Sequence, residues 1–235
     1  MRGKDVTLID KVRSSPPHWA NDAIRPFDEA LFREALPFPV RRYWCDSASV
    51  NVFRIVGTDH ESYKNKTWAW MFTNAQRISS NLREYEVDPN YYLQTVKKKD
   101  MVFQTLDGLD YYIRQGNHRS AIARFDFHYR GITTLHGVSI EDVRVDWPMF
   151  RLYREIVRKQ EEHVLPWGLF RESELLSRED TAGWMLETYR IGIRVKTPEK
   201  EWRFETPEAG EDFLASVVGT GGRRGGKKKW FSFFG

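Results

Sequence analysis

A short run near the middle of the chain, GNHRS at 116–120, combines a glycine with side chains that bind anions and transfer protons. Arg119 carries a planar guanidinium whose donors match the oxygens of a phosphate or carboxylate. His118 titrates near neutral pH and can give or take a proton. The run is therefore a candidate site for phosphate or another anion, made of Gly116, Asn117, His118, Arg119 and Ser120, with His118 and Arg119 as the candidates for catalysis.

The residues around this run predict a strand that stops at Gly116 and continues as a helix. Residues 100–107 are apolar enough for a strand, and Asp107-Gly108 is typical of a tight turn. A hairpin should thus lead directly into Gly116. We expect Asn117 to cap the helix and Gly131 to end it. The buried face of the helix is predicted from apolar residues at helical spacing: Ala121, Ile122 and Phe125.

A junction of strand, glycine and helix favours anion binding, because the first helical turn has free backbone N–H groups and the positive end of the dipole. The alternative is a surface hairpin followed by an ordinary capped helix, with Arg119 only solvated. Local physical chemistry leaves both interpretations open.

The strand that ends in Gly-Asn-His-Arg at 116–119 resembles the motif of the ParB/sulfiredoxin superfamily. The resemblance extends over Asn74–Trp147 in the order of its elements: Gln76-Arg77, a polar stretch, a helix predicted over Asp88–Lys97, the hairpin, then the phosphate-loop helix. Members of the superfamily include the N-terminal domains of partition proteins, ParB-like nucleases, sulfiredoxins and small nucleotide-using enzymes. The specific part of the match is Gly116–Ser120.

Two differences from members of the superfamily narrow the range of functions that we expect. Sulfiredoxins carry a reactive cysteine in this loop, whereas here the position holds Asn117 and the only cysteine is Cys45. Sulfinic-acid reduction by a loop cysteine is therefore not expected. Partition proteins continue with a helix-turn-helix and a dimerisation domain, and the segment after Trp147 is too short for both.

The resemblance implies a nucleotide ligand, ATP or another NTP with Mg²⁺, and ParB-like nuclease or NTPase chemistry on DNA. It also places Arg77 near the phosphate pocket. A non-enzymatic DNA-binding regulator with a nucleotide switch and a small-molecule kinase of the same fold are the alternatives. Phosphoryl transfer needs an acid to hold a metal or activate a nucleophile. The candidates nearest in sequence are Glu84, Glu86, Asp107 and Asp110, and the metal ligands stay unassigned.

Composition sets limits on the rest of the chain. It has 235 residues, 30% of them charged, and nine tryptophans, enough for a sizeable core. A single cysteine excludes an internal disulfide, and the six histidines show no zinc-ligand spacing. The sequence has neither a long apolar run nor an N-terminal signal pattern. A cytoplasmic protein is the simplest expectation.

The C-terminal segment, Gly219–Gly235, concentrates positive charge. It holds five basic residues and no acid, so the net charge of +4 leaves −1 for the rest of the chain. Its glycines predict a flexible tether over Gly219–Lys229. Three roles stay open: docking of its aromatic end on the protein itself, nucleic-acid binding, or a weak membrane or partner contact. The nucleic-acid role would use Arg223, Arg224, Lys227, Lys228, Lys229 and Trp230.

Together these patterns predict an α/β (α+β) protein in four parts. Residues 1–60 form an N-terminal extension and residues 61–147 a ParB/sulfiredoxin-like domain with a mixed sheet. Residues 148–218 are expected to add a helical appendix, because Met149, Leu152 and Ile156 fall at helical spacing. Residues 219–235 are the predicted basic and aromatic tail.

Overall fold

The computed structural model describes residues 6–163 and 166–221, which form a mixed α/β protein. Its elements fall into two compact units. The first unit contains residues 6–145 and Leu175–Tyr189, and the second contains Asp146–Glu174 and the described residues from Arg190 onward. Two long strands, β7 (Gly168–Thr181) and β8 (Trp184–Lys196), contribute residues to both.

The first unit is built on a mixed sheet with helices and short 3-10 turns between its strands. Its strands are β1 (Arg25–Pro26), β2 (Pro39–Asn51), β3 (Ile55–Thr58), β4 (Val102–Leu106), β5 (Tyr111–Gln115) and β6 (Thr134–Val145). Its helices are α1 (Leu8–Ser14), α2 (Glu29–Ala35), α3 (Trp68–Asn74), α4 (Ile78–Val87) and α5 (Asn117–Arg130).

The strand order in this unit is β1-β3-β5-β4-β6-β2, followed by β8. Strands β1, β3 and β5 run parallel to one another, and β4 runs antiparallel to β5, as the predicted hairpin requires. Strand β6 is parallel to β4 and antiparallel to β2. The carboxyl ends of β1, β3 and β5 therefore meet at one edge, and the first residues of β4 lie beside the end of β5.

Helix α5 is the central helix of the first unit. Its N-cap is Gly116, with a φ of 91°, and its C-cap is Gly131, with a φ of 67°, as the sequence predicts for its end. The predicted apolar face is buried, with Ala121, Ile122 and Phe125 fully inaccessible to solvent. The Phe125 ring lies 4.7 Å from Trp19 and 4.7 Å from Phe72.

A buried arginine fastens this helix to the strands below it. Arg124 donates hydrogen bonds to the backbone oxygens of Val52, at 3.0 Å, and Ile55, at 2.6 Å. Its guanidinium also lies over the rings of Trp19 and Trp68, at 4.4 and 4.6 Å. Burial lowers the pKa of Arg124 to about 10, so the side chain stays charged at neutral pH.

The second unit combines helices with strands. Helix α6 (Trp147–His163) buries Met149, Leu152 and Ile156, which confirms the predicted helical spacing. The remaining elements are β9 (Glu201–Phe204), antiparallel to β8, and α7 (Pro207–Gly221). Phe213 packs against Trp202 and Phe204, with ring centroids 5.2 Å apart in each pair.

The prediction of a wholly helical appendix over 148–218 is wrong, because β7, β8 and β9 fall within it. At the end of β8 the buried residues Ile193 and Val195 alternate with the more exposed Arg194 and Lys196, and this period of two is typical of a strand. Helix α7 continues to Gly221, so the first three residues of the predicted tether are helical. Residues 222–235 lie outside the described part of the chain.

The predicted helix over Asp88–Lys97 is also wrong, since only Tyr91–Leu93 form a short 3-10 turn there. The Lys98 ammonium is buried and donates to the backbone oxygens of Gln94, at 2.6 Å, and His136, at 2.8 Å. The bond to His136, which is 38 residues away in the sequence, favours the irregular path of this segment. Because the Lys98 ammonium is buried, it does not add to the exposed positive charge of Lys97 and Lys99.

Replacing Arg124 with Met should lower the free energy of unfolding by about 2–4 kcal/mol, because two buried carbonyls lose their donor. Urea unfolding monitored by circular dichroism measures this change. As a control, Arg83→Met removes an exposed arginine of α4 and should alter stability by less than about 0.5 kcal/mol. Equal effects of the two substitutions would contradict the assigned role of Arg124.

Candidate functional site

The candidate site lies where β3 and β5 end, at the N-terminus of α5. Because these two strands are parallel, the residues that follow Thr58 and those that follow Gln115 meet at the same edge of the sheet. Ligand sites of α/β proteins characteristically occupy such carboxyl edges. In this chain the edge brings together Asp59, His60 and the start of α5.

Gly116 gives the backbone a conformation that other residues rarely adopt. Besides its φ of 91°, a Cβ atom at this position would come within 2.7 Å of the Asp100 carbonyl oxygen at the start of the hairpin. The first hydrogen bond within the helix runs from the Ser120 N–H to the Gly116 oxygen, at 2.8 Å. The N–H groups of Asn117, His118 and Arg119 precede that bond and stand at the positive end of the helix.

Asn117 is not the N-cap that the sequence predicts. Gly116 occupies the capping position, and Asn117 is the first residue of the helix. Its buried side-chain oxygen accepts a hydrogen bond from the Thr58 hydroxyl, at 2.8 Å. The same hydroxyl accepts from the His60 N–H, at 3.1 Å. Asn117 therefore joins the end of β3 to the start of α5, and its side-chain oxygen is engaged in this hydrogen bond.

His118 is coupled to a tyrosine that sequence reasoning did not find. The Tyr63 hydroxyl lies 2.9 Å from His118 Nε2, and the Tyr63 ring stacks on His60 at a centroid distance of 4.4 Å. Burial, with smaller contributions from the charges of Arg77 and His60, lowers the pKa of His118 below its usual value. His118 is therefore a neutral imidazole at pH 7 and can accept a proton.

The two arginines predicted to bind phosphate, Arg119 and Arg77, differ in their exposure to solvent. Arg119 is half-buried, and its guanidinium donates to the Asp100 backbone oxygen at 2.8 Å. Four of its five N–H donors are not used by that bond. Arg77 is exposed at the start of α4, and its charge acts on His118. Arg77 is therefore close enough for its charge to act on His118, the residue before Arg119, and its predicted role at a phosphate pocket stays a prediction.

Ser120 differs from its predicted role as a phosphate ligand. Its side chain is fully buried, its hydroxyl has no hydrogen-bond partner among the described residues, and its N–H belongs to the helix. The groups placed to meet an anion are therefore those of Gly116–Arg119.

The four acids proposed from sequence serve other purposes or lie on the surface. Asp107 accepts a hydrogen bond from the Val145 N–H at 3.0 Å, and Asp110 pairs with Arg25 at 3.1 Å. Glu84 and Glu86 are exposed on α4. Within residues 6–163 and 166–221, no group of three or more His, Cys, Asp or Glu side chains could hold a metal ion.

Asp59 is the acid that follows Thr58 directly, and it forms an ion pair with Arg114 at 3.1 Å. Burial raises the pKa of Asp59, and the positive charge of Arg114 opposes that effect. The polar run after the apolar end of β3, Thr58-Asp59-His60, is the sequence signal that could have located this part of the site.

No protein-family model, curated protein or solved structure matches the chain. The resemblance to the ParB/sulfiredoxin superfamily therefore stays a prediction. None of the helices in the described parts of the chain is long and apolar enough to cross a membrane. The residues predicted to bind nucleic acid, Arg223, Arg224, Lys227, Lys228, Lys229 and Trp230, lie outside the described residues.

The lowered pKa of His118 predicts a pH dependence of stability. As pH falls below about 6.5, the unfolded chain binds a proton at this position before the folded protein does. The wild type should therefore lose stability relative to His118→Gln as pH falls below that value, until the lower pKa of the folded state is passed. Urea unfolding of both proteins at about pH 7.5 and pH 5 measures the difference. A difference that is constant, or that grows in favour of the wild type at low pH, would contradict the assignment.

Proposed function

We propose that the N-terminus of α5 binds the phosphate of a nucleotide and that His118 acts there as an acid or base. The observation that carries the proposal is the start of α5 at a left-handed Gly116. Three backbone N–H groups, the guanidinium of Arg119 and a neutral imidazole are thereby collected at one strand edge. Each of these groups is a recognised partner of phosphate oxygens.

The arrangement also supports a division of roles. Arg119 would contact phosphate oxygens while its bond to the Asp100 carbonyl fixes the guanidinium, and Arg77 would add charge from α4. Tyr63 would orient His118 through Nε2 and help to move its proton. Any Mg²⁺ would arrive with the nucleotide. Asp59 is an acid close to this site, because the preceding residue, Thr58, bonds Asn117 at the start of α5.

The catalytic version of the proposal is phosphoryl transfer or hydrolysis, as a nuclease or NTPase that acts on DNA. The pairing of Tyr63 with a neutral His118 favours this version, because such a pair is suited to moving a proton. A regulator that binds DNA and uses the nucleotide as a switch would need the anion site but no proton transfer. A small-molecule kinase of the same fold would need both.

Arg119→Ala should weaken binding of ATP or CTP by about 2–3 kcal/mol, or roughly 30- to 150-fold, because a charge-assisted contact is lost. Calorimetric titration with ATP, ADP, CTP and inorganic phosphate, with and without Mg²⁺, measures the affinities. Arg83→Ala is the matched control, since it removes one exposed arginine of α4 without touching α5. If Arg119→Ala binds the nucleotides as tightly as the wild type does, the helix terminus is only structural.

His118→Asn separates an enzyme from a regulator. In an enzyme this variant should keep most of the nucleotide affinity and lower turnover by about 100-fold or more, because the proton-transfer group is missing. Phosphate release and cleavage of single- and double-stranded DNA are the assays. Full activity in both His118→Asn and Arg119→Ala would exclude this site as the catalytic one. A wild type without turnover, whose DNA affinity responds to nucleotide, would identify the regulator.

A further inference from the structure

Strand β7 is unusually exposed for a strand of fourteen residues. Every residue from Ser173 to Thr181 is exposed, and two adjacent leucines, Leu175 and Leu176, keep 49% and 51% of their surface accessible. Strand β7 is also the last strand in the sheet order after β8. Among the described residues, no strand pairs with its outer edge.

Proteins usually protect such edges, because a row of unpaired N–H and C=O groups accepts another strand. Common protective features are proline, short strand length and lysine on the edge. Strand β7 has no proline and no lysine, and its only glycine is its first residue, Gly168. The edge is thus long and lacks proline and lysine; it does carry charged side chains of both signs, which protect it against strands whose charges do not match.

The sequence of β7 is complementary to itself when it is read in the opposite direction. In an antiparallel pair of identical strands related by a two-fold axis, each residue faces one on the same side of the sheet. With the axis at Leu175, Arg171 faces Glu179 and Glu172 faces Arg178. The symmetric pair therefore contains four opposite-charge contacts and no like-charge contact.

Neighbouring registers lose this match. With the axis at Leu176, Glu174 faces Arg178, but Glu172 faces Asp180, so each opposite-charge contact is offset by a contact between two acids. With the axis at Glu174, Arg171 faces Ser177 and neither arginine meets an acid. Because directly opposed charges decide register between strands, the arrangement centred on Leu175 is preferred.

We propose that β7 is a homodimer interface, at which two copies of the chain join their sheets by antiparallel pairing of β7 centred on Leu175. The partner is a second copy because the charge order of the strand fits itself. The exposed Leu175 of each copy meets its equivalent on the axis, where apolar contact excludes water. The interface is independent of the nucleotide site.

Of the four charged residues, Arg171 and Glu179 are suited to a test because they are not central to the fold of one chain, whereas Glu172 and Arg178 already form ion pairs within it. Glu172 binds Arg194 and Arg203 within the chain, and Arg178 binds Glu187. Arg171 and Glu179 are both exposed, and no ion pair joins either of them to another described residue. Within the chain the Arg171 guanidinium lies 5.5 Å from the centroid of the Tyr153 ring, so Glu179→Arg is the cleaner reversal, and the double variant controls for the loss of the Tyr153 contact.

Sedimentation velocity of the full chain, up to about 100 µM, should show a dimer for the wild type. Arg171→Glu alone and Glu179→Arg alone should each raise the dissociation constant by about tenfold or more, because like charges then face each other. The double variant should restore the dimer. An equimolar mixture of the two single variants should form a heterodimer, in which every reversed charge meets an opposite one.

Two further variants fix the register. Leu175→Lys places two ammonium groups on the axis and should abolish the dimer, whereas Leu176→Lys places a lysine opposite Glu174 and should preserve it. The two leucines are almost equally exposed, so their effects on a single chain are comparable. Circular dichroism should confirm an unchanged fold. A wild type that stays monomeric, a dimer that no variant affects, or equal effects of the two lysines would each overturn the proposal.

Discussion

The geometry of the candidate site depends on one buried cation, Arg124. Its guanidinium is enclosed by the rings of Trp19 and Trp68 and is bonded to the backbone oxygens of Val52 and Ile55. A buried charge is costly unless it is compensated, and here two backbone carbonyls and two aromatic faces offset that cost, while the Arg124 Nε–H has no hydrogen-bond partner among the described residues. Since those carbonyls immediately precede and begin β3, the position of α5 is fixed relative to that strand.

Two further hydrogen bonds between elements position the groups of the site. The bond from the Thr58 hydroxyl to Asn117 ties the far end of β3 to the first turn of α5. On the opposite side, Tyr85 donates to Asp126 at 2.6 Å and holds α4 against α5. The first link places His60 and Tyr63 beside His118, and the second places the start of α4, with Arg77, near the same imidazole. A preorganised set of donors of this kind binds an anion without having to rearrange.

The sequence was sufficient for those parts of the fold that local patterns determine. The hairpin, the existence of α5 with its end at Gly131, and the spacing of α6 are predicted, because turn residues and periodicity act over a few positions; the N-cap of α5 is Gly116 rather than the predicted Asn117. Contacts over long sequence separation account for the errors. Tyr63 and Asp59 join the site only through the parallel pairing of β3 with β5, and Lys98 diverts residues 88–97 from a helix by bonding His136. Strand β7 was missed because its exposed residues are too polar to show a clear alternation.

The most direct test of the account follows the backbone amides at the start of α5 by nuclear magnetic resonance during titration with ATP and, separately, with inorganic phosphate. We expect saturable shifts of the Asn117, His118 and Arg119 amide signals, because these N–H groups precede the first hydrogen bond of the helix. The Ser120 amide, which already bonds Gly116, should respond less. Shifts confined to other parts of the chain, or none at all with either ligand, would contradict the assignment of the α5 N-terminus as a phosphate site.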